Sequence, residues 1–470
     1  MAAGTLAPIP KCKKLSKEDS ASYRLVALSS ALGKVSDYVI LEFEGDRLKT
    51  SEHQYAYKQG FSTTQCTFNF IETIRYYNFN ATTVYLILLD ASKAFDRIHY
   101  GKLFNLLCDR SVHPILIRFL LCSYLCQRLN VKWRHHVTSF FVTSNGTKQG
   151  GVISPVLFTI FVDGLFRRLE CAGVGCYIGN TFVGCGGYAD DISLLAPTLE
   201  AARVMLSICC EYADEFRIIF NESKTKLLVF RCASDVNLPL QSMCVGSATV
   251  VECLSELHLG HRLHTATLDQ SLVTEAIGSY WAFYNSMVSD FGSTHPYIQC
   301  RLFKSYCCSF YGSPLWDLSV HLESIATAWR RGLKCIWGVP RQTHREVVAL
   351  LSESVPIELS LYKRLCKFVR TAFTGPSRIT AAVMRSARLN PSSPFCKNMN
   401  LLSYLFDIDV DYLCMHGVPD FRVGWMTATE SSVDQVFALR EMLDARFAGT
   451  VSEGLDEEDV DQLVYLLAAA

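Results

Sequence analysis

Short apolar runs alternate with helical stretches along the first 260 residues of the chain. Residues 84–89 form an apolar run typical of a buried strand, and the run ends at Asp90. Because a buried strand does not tolerate an unpaired carboxylate, we expect Asp90 at the exit of that strand. Residues 227–230 predict another buried strand.

Helical spacing marks the stretches between these runs. Ser62 or Thr63 fits the N-cap of one helix, and Ser154 followed by Pro155 fits the N-cap and first residue of another. Residues 199–220 carry the pattern of a further helix. The alternation predicts an α+β region that ends near residue 263.

From about residue 270 onward the pattern is helical, with a dense aromatic stretch at Tyr280, Trp281 and Tyr284. We therefore predict three regions, over residues 1–263, 264–350 and 351–470. The last is expected to be mostly helical, carries no chemistry that the residues identify, and contains an acidic, exposed tail at 453–461.

Two adjacent carboxylates, Asp190 and Asp191, interrupt an apolar segment that otherwise predicts strand. Such a step fits a tight hairpin whose tip presents both side chains. Like charges held side by side repel, so a divalent cation such as Mg²⁺ is the simplest group to lie between them. An ordinary surface turn is the alternative.

Charge is balanced over the 470 residues, with 45 Lys and Arg against 45 Asp and Glu, so nucleic-acid binding requires local basic patches. Three segments qualify; the first is equally explained by a solvated loop and the second by an exposed hairpin, and the third is the clearest candidate. They are a cluster of Lys11, Lys13, Lys14, Lys17 and Arg24, the basic aromatic residues 131–136, and residues 330–345 with five Lys and Arg, no acid and Trp337.

The 20 cysteines form no zinc pattern. Cys253, His258 and His261 come nearest, and we favour a packed or solvated set over a metal site. The N-terminus lacks the pattern of a signal peptide, and no apolar stretch is long enough to span a membrane. We expect a soluble, reduced, intracellular protein without a membrane partner.

Asp90 and the pair Asp190 and Asp191 together supply what nucleotidyl transfer requires. Two metal ions held about 4 Å apart activate the attacking 3′-hydroxyl and stabilise the leaving oxygen. Positioning and charge neutralisation do most of this chemistry, so few other groups are needed.

Ordered segments over roughly 260 residues resemble the reverse transcriptase of a LINE-type, non-LTR retrotransposon. The matching segments lie, in order, at 9–11 with 23–34, 57–63, 89–96, 148–155, 188–191, 221–226 and 259–261. Residues 303–316 and 328–344 resemble the region C-terminal to the polymerase in such elements. The resemblance implies a right-hand α+β polymerase, in which residues 1–263 form fingers and palm and residues 264–350 a thumb-like helical region.

The resemblance also implies roles for individual residues. Asp90, Asp190 and Asp191 would bind two Mg²⁺ ions, with Mn²⁺ as a substitute and the Ala91 carbonyl assisting. The nucleotide-binding residues would be Arg24 at the triphosphate, Phe95 beneath the sugar, Gln149 at the base pair and Lys224 at the leaving phosphate. The partners would be an RNA template, a DNA primer or target and dNTPs, in the nucleus after cytoplasmic synthesis; the oligomeric state stays open.

Some features depart from the family pattern. Leu25 stands where proline is usual, and Asp163 and Gly164 where an Asn–Asp pair is usual; Gly164 weakens a helix by roughly 1 kcal/mol relative to alanine. The chain starts close to the first matching segment and lacks the endonuclease and Cys–His knuckle of such elements, so we expect a piece of a longer element protein.

Several functions remain open at this point. An RNA-directed DNA polymerase is favoured by the intact Asp90, Asp190 and Asp191. An inactive remnant that only binds nucleic acid is the alternative. An RNA-directed RNA polymerase conflicts with Phe95, and a hydrolase with paired carboxylates does not explain Gln149 and its flanking glycines.

Overall fold

The computed structural model describes residues 3–11, 18–19, 22–91, 94–246, 248–352 and 354–406. The chain divides into two compact units, Met1–Leu259 with Ser377–Ser386, and Gly260–Pro376 with Ala387–Ala470. The three sequence-based regions stay a prediction. Lys13, Lys14, Lys17 and the acidic tail lie outside the described residues.

The described part of the first unit is rich in short strands and contains six helices before residue 260, together with most of a later helix. The strands are β1 (Ala3–Pro10), β2 (Tyr23–Leu28), β3 (Val84–Asp90), β4 (Arg128–Trp133), β5 (His136–Val137), β6 (Phe141–Val142), β7 (Tyr177–Ile178), β8 (Thr181–Phe182), β9 (Cys185–Tyr188), β10 (Asp191–Ala196), β11 (Lys226–Phe230), β12 (Ser242–Val245), β13 (Ala248–Val251) and β14 (Ser255–His258). The helices are α1 (Ala31–Glu44), α2 (Thr63–Phe79), α3 (Tyr100–Asp109), α4 (Pro114–Leu125), α5 (Ser154–Cys171) and α6 (Leu199–Phe216). Mixed α+β structure is thereby confirmed.

The central sheet of this unit has the strand order β11–β3–β10–β9, and all its pairs are antiparallel. Helices α2, α5 and α6 pack against its strands. The interior is apolar, since Leu86, Leu194 and Leu227 are fully buried at the centre of adjacent strands. The packed interior of the sheet therefore holds the polar residues at the ends of its strands in fixed positions.

Local capping agrees with the sequence at one helix and departs from it at two others. Ser62 is the N-cap of α2 and accepts a hydrogen bond from the Gln65 backbone N–H, as predicted. The predicted N-cap Ser154 is wrong by one residue: Ile153 caps α5 and makes no side-chain cap bond. Helix α6 stops at Phe216, four residues before the predicted end, because Arg217 adopts a left-handed φ of 58°.

Asp37 explains the absence of a capping side chain on α5. Its Oδ2 accepts hydrogen bonds from the backbone N–H groups of Val152 (3.2 Å) and Ile153 (3.4 Å). These donors just ahead of the helix are therefore satisfied by a residue that lies 115 positions earlier in the chain.

Gly164 serves a packing role in the middle of α5. A Cβ atom at this position would lie 2.9 Å from the Tyr212 hydroxyl oxygen. Tyr212 is buried and donates its hydroxyl proton to the Phe161 carbonyl at 2.7 Å. Glycine at position 164, which departs from the family pattern, thus allows α6 to approach α5 closely.

A second sheet in the same unit runs β2–β1–β4–β5, with β6 pairing to β4. The basic aromatic residues 131–136 form the end of β4 and an exposed turn, in which Arg134 has a φ of 53°. The ring of Trp133 packs edge-on against Tyr23 at 4.8 Å between ring centres. This segment is the exposed hairpin that the sequence offered as its simpler interpretation.

The second unit is helical beyond its first strand. Its elements are β15 (His261–His264), α7 (Leu268–Phe291), α8 (Pro296–Leu302), α9 (Leu318–Trp337), α10 (Arg345–Leu351), α11 (Ile357–Thr374), α13 (Pro394–Phe406) and the end of α12 (Arg378–Leu389), most of which belongs to the first unit. Tyr280 lies in its core, stacked on Phe310 at 5.6 Å and hydrogen-bonded to the Ala328 carbonyl at 3.0 Å. Among the described helices, none is long and apolar enough to cross a membrane.

Candidate active site

The register of the central sheet brings together carboxylates that are 100 residues apart in sequence. In the antiparallel pair β3–β10, Asp90 is directly opposite Asp191. Side chains of such cross-strand pairs have Cβ atoms about 4.5–5.5 Å apart. Strand β3 ends at Asp90, as its apolar pattern predicts.

Asp190 lies in the turn that joins β9 to β10. Tyr188 pairs with Asp191, so Ala189 and Asp190 form a two-residue hairpin loop. Ala189 has a φ of 58°, a conformation that glycine adopts more readily than alanine. We call the segment from Cys185 to Ala196 the catalytic hairpin, after the role that we propose for it below. Its tight loop sets Asp190 beside the Asp90 and Asp191 pair.

The carboxylates share a site with too little positive charge. Burial, followed by the charges of Asp190 and Asp90, raises the pKa of Asp191 to about 6. Burial also raises the pKa of Asp190, and the Asp90 charge adds to the effect. The site therefore favours the arrival of cations.

Among the residues that the structure describes, Lys224 forms an ion pair with Asp90. Its Nζ lies 3.2 Å from Oδ1 and 3.1 Å from Oδ2 of Asp90, and its side chain is 62% exposed. The turn that carries it is anchored to β3, because the Asn221 N–H donates to the Asp90 carbonyl at 2.8 Å. An exposed pair of this kind contributes little to stability and leaves the lysine free to move.

The donor set suits a divalent metal, but the arrangement is not closed. Carboxylate oxygens are the ligands that Mg²⁺ prefers. Within the ranges that the structure describes, no group of three or more His, Cys, Asp or Glu side chains converges closely enough to hold an ion. Asp90, Asp190 and Asp191 would hold a metal after they move together and Asp90 leaves Lys224.

Arg24 and Tyr57 face Asp190. Arg24 is exposed on β2, and its positive charge partly offsets the rise that burial causes in the pKa of Asp190. Burial, then the charge of Asp190, raises the pKa of the Tyr57 hydroxyl. Sequence reasoning assigned no role to Tyr57; its position in a matched segment was the only signal, and its φ of 58° could not be foreseen.

Ala91 and Phe95 border the site where the chain leaves β3. Ala91 is buried and bridges to Phe220, and Phe95 stacks on Phe158 with ring centres 4.6 Å apart. Ala91, Phe158 and Asp190 line the same small cleft. Apolar surface thus adjoins the carboxylates on this side.

Gln149 lies on the loop between β6 and α5. Its carbonyl accepts a hydrogen bond of 2.6 Å from the Ala27 N–H, which docks the loop on β2, the strand that carries Arg24. Gly150 has a φ of 101°, and a Cβ there would lie 2.9 Å from the Ala27 carbonyl oxygen. Glycine is required at this contact.

The other predicted sites have structural explanations. His258 is buried, and its Nε2 lies 3.0 Å from the Ser193 hydroxyl, which agrees with a packed histidine. In the basic segment 330–345, Arg330 is only 13% exposed and pairs with Glu323 and, at 2.8 Å, Glu358. Sequence reasoning treated Arg330 as part of a nucleic-acid surface, whereas its charge is neutralised within the helical unit.

Comparisons with known proteins identify the family of the chain. Residues 12–263, more than half of the chain, match the family model described as "Reverse transcriptase (RNA-dependent DNA polymerase)". The chain is 26% identical over 140 residues to the "Retrovirus-related Pol polyprotein from type-2 retrotransposable element R2DM" of Drosophila melanogaster, covering 30% of this chain and 13% of that protein. It is 27% identical over 238 residues to the "Probable RNA-directed DNA polymerase from transposon BS" of Drosophila melanogaster, covering 48% of this chain and 26% of that protein.

A solved structure is also similar over much of the chain. Telomerase from Candida tropicalis, in complex with a fragment of telomeric RNA, matches with a TM-score of 0.42 and 11% identity, covering 83% of this chain and 64% of that chain.

Proposed function

The chain belongs to the reverse transcriptase family, and from that premise we propose that it is the RNA-directed DNA polymerase of a non-LTR retrotransposon. Membership confirms the expected right-hand α+β polymerase fold class. The curated relatives are polyproteins or polymerases of which the matched regions span 13% and 26%, so activity of this chain by itself is part of the proposal.

The observation that carries the proposal is the register between β3 and β10. It sets Asp90 opposite Asp191, with Asp190 in the adjoining two-residue loop. Among the described residues, Arg24 and Lys224 are the cations that act on these three carboxylates, which suits a reaction that brings metal ions to the site. A structural ion pair would instead need a matching cation for each carboxylate.

Divalent metal ions generally serve reverse transcriptases, and we propose Mg²⁺ at Asp90, Asp190 and Asp191, with Mn²⁺ as a substitute. When bound, two such ions would activate the 3′-hydroxyl of a DNA primer and stabilise the departing pyrophosphate. The Ala91 carbonyl would add a ligand. The raised pKa of Asp191, about 6, supports a site that gains by binding cations.

The remaining roles concern the incoming dNTP. Arg24, whose charge acts on Asp190, would bind the triphosphate. Lys224 would exchange Asp90 for the leaving phosphate, since an exposed lysine can swing between two anions. Phe95, held by stacking on Phe158, would contact the sugar and exclude a 2′-hydroxyl, and Gln149 would contact the base pair with the RNA template.

A second candidate is a remnant that binds nucleic acid without polymerising it. It is favoured by the ion pair between Lys224 and Asp90 and by the lack, among the described residues, of a converged metal cluster. In that case the carboxylates would be relics, and only the basic and aromatic surfaces would act.

Primer extension separates the candidates. Poly(rA)/oligo(dT), dTTP and Mg²⁺ are supplied to the wild type, to Asp190→Asn, and to Asp290→Asn, which alters an exposed carboxylate on α7. We expect extension by the wild type and Asp290→Asn, and a loss of at least about 10³-fold in Asp190→Asn, because an amide is a poor metal ligand. If none extends the primer but all retard the duplex in a salt-dependent gel shift, the remnant is the correct description.

A further inference from the structure

The catalytic hairpin has one outer edge that another segment covers. Strand β9 is the edge strand of the central sheet, so its outward N–H and C=O groups need partners. Residues 53–55 supply them. The Tyr55 N–H donates to the Gly187 carbonyl at 2.8 Å, and the Gly187 N–H donates to the His53 carbonyl at 2.7 Å.

After Gly187, the side chain of Gln54 supplies the next hydrogen bonds to this edge of the hairpin, at Ala189. Its Oε1 accepts from the Ala189 N–H at 3.0 Å, and its Nε2 donates to the Ala189 carbonyl at 3.4 Å. The same Oε1 also accepts from the Ala56 N–H at 3.0 Å. A side-chain amide carries the same donor and acceptor as a peptide group, so Gln54 takes the place of one more strand residue.

This contact falls on the most strained point of the loop. Ala189 has a φ of 58°, which disfavours alanine unless the surroundings hold it. Gln54 and Ala189 are 0% and 5% exposed, so water does not compete for these bonds. Asp190 follows Ala189 directly, so movement of Ala189 moves the carboxylates of the site.

We propose that Gln54 is a positioning residue that holds the loop of the catalytic hairpin by both polar groups of Ala189 and so keeps Asp190 and Asp191 aligned with Asp90. The inference rests on the proposed function for its effect on catalysis. Its structural part, a loop fastened by one buried amide, stands independently of it.

The chain offers a matched control in Gln65. This glutamine is also buried, 2% exposed on α2, yet neither atom of its amide has a hydrogen-bond partner in the structure. Methionine is close to glutamine in size and shape and lacks the amide. Gln54→Met and Gln65→Met therefore make the same change to a buried side chain, and only the first breaks the contact with Ala189.

Two measurements test the proposal. Backbone hydrogen exchange is followed over residues 185–195. The Ala189 N–H is expected to exchange at least tenfold faster in Gln54→Met than in the wild type or Gln65→Met. In primer extension, kcat of Gln54→Met should fall about 10- to 100-fold, since misplacement of reacting groups by about 1 Å has effects of this size. The KM for dTTP and the Kd for the duplex should change less than twofold.

The outcomes are distinguishable. Unchanged exchange at Ala189 in Gln54→Met overturns the proposal, as does a kcat equal to that of Gln65→Met in an active wild type. If the wild type extends no primer, the proposed function fails and the exchange result alone decides whether Gln54 holds the loop. If Gln54→Met does not fold, Gln54→Asn, whose amide is one methylene shorter, replaces it; faster exchange at Ala189 supports the proposal, and wild-type exchange overturns it.

Discussion

Two charged clusters of this chain, one acidic and one basic, look equally suggestive in the sequence and differ in the structure. Asp90 and Asp191 lie opposite each other in the central sheet, Asp190 lies in the adjoining loop, and an exposed lysine, Lys224, pairs with Asp90. Arg330, in the basic segment, is 13% exposed and pairs with Glu323 and Glu358. Burial and mutual repulsion thus raise the pKa values of Asp190 and Asp191, whereas the charge of Arg330 is matched inside its own unit.

The other basic residues of this segment also differ in whether they contact the rest of the protein or are exposed. Lys334 donates to the Arg341 carbonyl at 2.6 Å, and the Arg331 guanidinium lies 5.5 Å from the centre of the Trp281 ring. The side chains of Arg341 and Arg345 are exposed. A run of like charge in the sequence therefore contains residues with different tasks.

Among the variants that test this comparison, we expect the largest effect when the Arg330 charge is removed. Arg330→Met leaves Glu358, which is only 23% exposed, without its partner, so we expect the free energy of unfolding to fall by about 1–3 kcal/mol. Urea unfolding measures this, with Arg370→Met, an exposed charge on α11, expected to stay within about 0.5 kcal/mol. If the two variants are equally stable and only Arg330→Met binds the duplex more weakly, Arg330 is part of a nucleic-acid-binding surface after all.

Removal of the Asp191 charge is expected to stabilise the folded protein, in contrast to removal of the Arg330 charge. Its pKa in the folded protein is about 6, above the value of about 3.8 expected in an unfolded chain, so folding favours the protonated form. The resulting stability is complete below about pH 3.8 and is lost as the pH rises through about 6. At pH 7.5 with a chelator, Asp191→Asn should be more stable than the wild type by about 1–3 kcal/mol, and the difference should shrink by pH 5.

Thermal or urea unfolding at the two pH values tests this sign. Added Mg²⁺ should then stabilise the wild type more than Asp191→Asn, because a ligand that binds the folded state stabilises it. A wild type that is more stable than Asp191→Asn at pH 7.5 without metal would show that Asp191 is already neutralised by a partner, as Arg330 is.

The contrast also explains what the sequence could predict. Strand β3 and its exit at Asp90, the Asp190 hairpin and the Ser62 cap depend on neighbours within a few residues, so local pattern was sufficient. Gln54 acts on Ala189 across 135 residues, and Asp37 serves the start of α5 across more than a hundred. Pairing of Arg330 with Glu358 likewise needs the packing of α9 and α11. Such contacts leave no periodic signal, since each is a single meeting of two distant positions.

The smallest expected effect comes from the exposed part of the basic segment. If Arg341 and Arg345 contact phosphates, replacing both with alanine should weaken duplex binding modestly and reduce the slope of log Kd against log salt by up to about 2. Folding stability should be unchanged, since both side chains are exposed. Gel shifts at several salt concentrations measure the slope, and an unchanged slope would mean that this segment, despite its five basic residues and lack of acids, serves the fold of the helical unit and not nucleic acid.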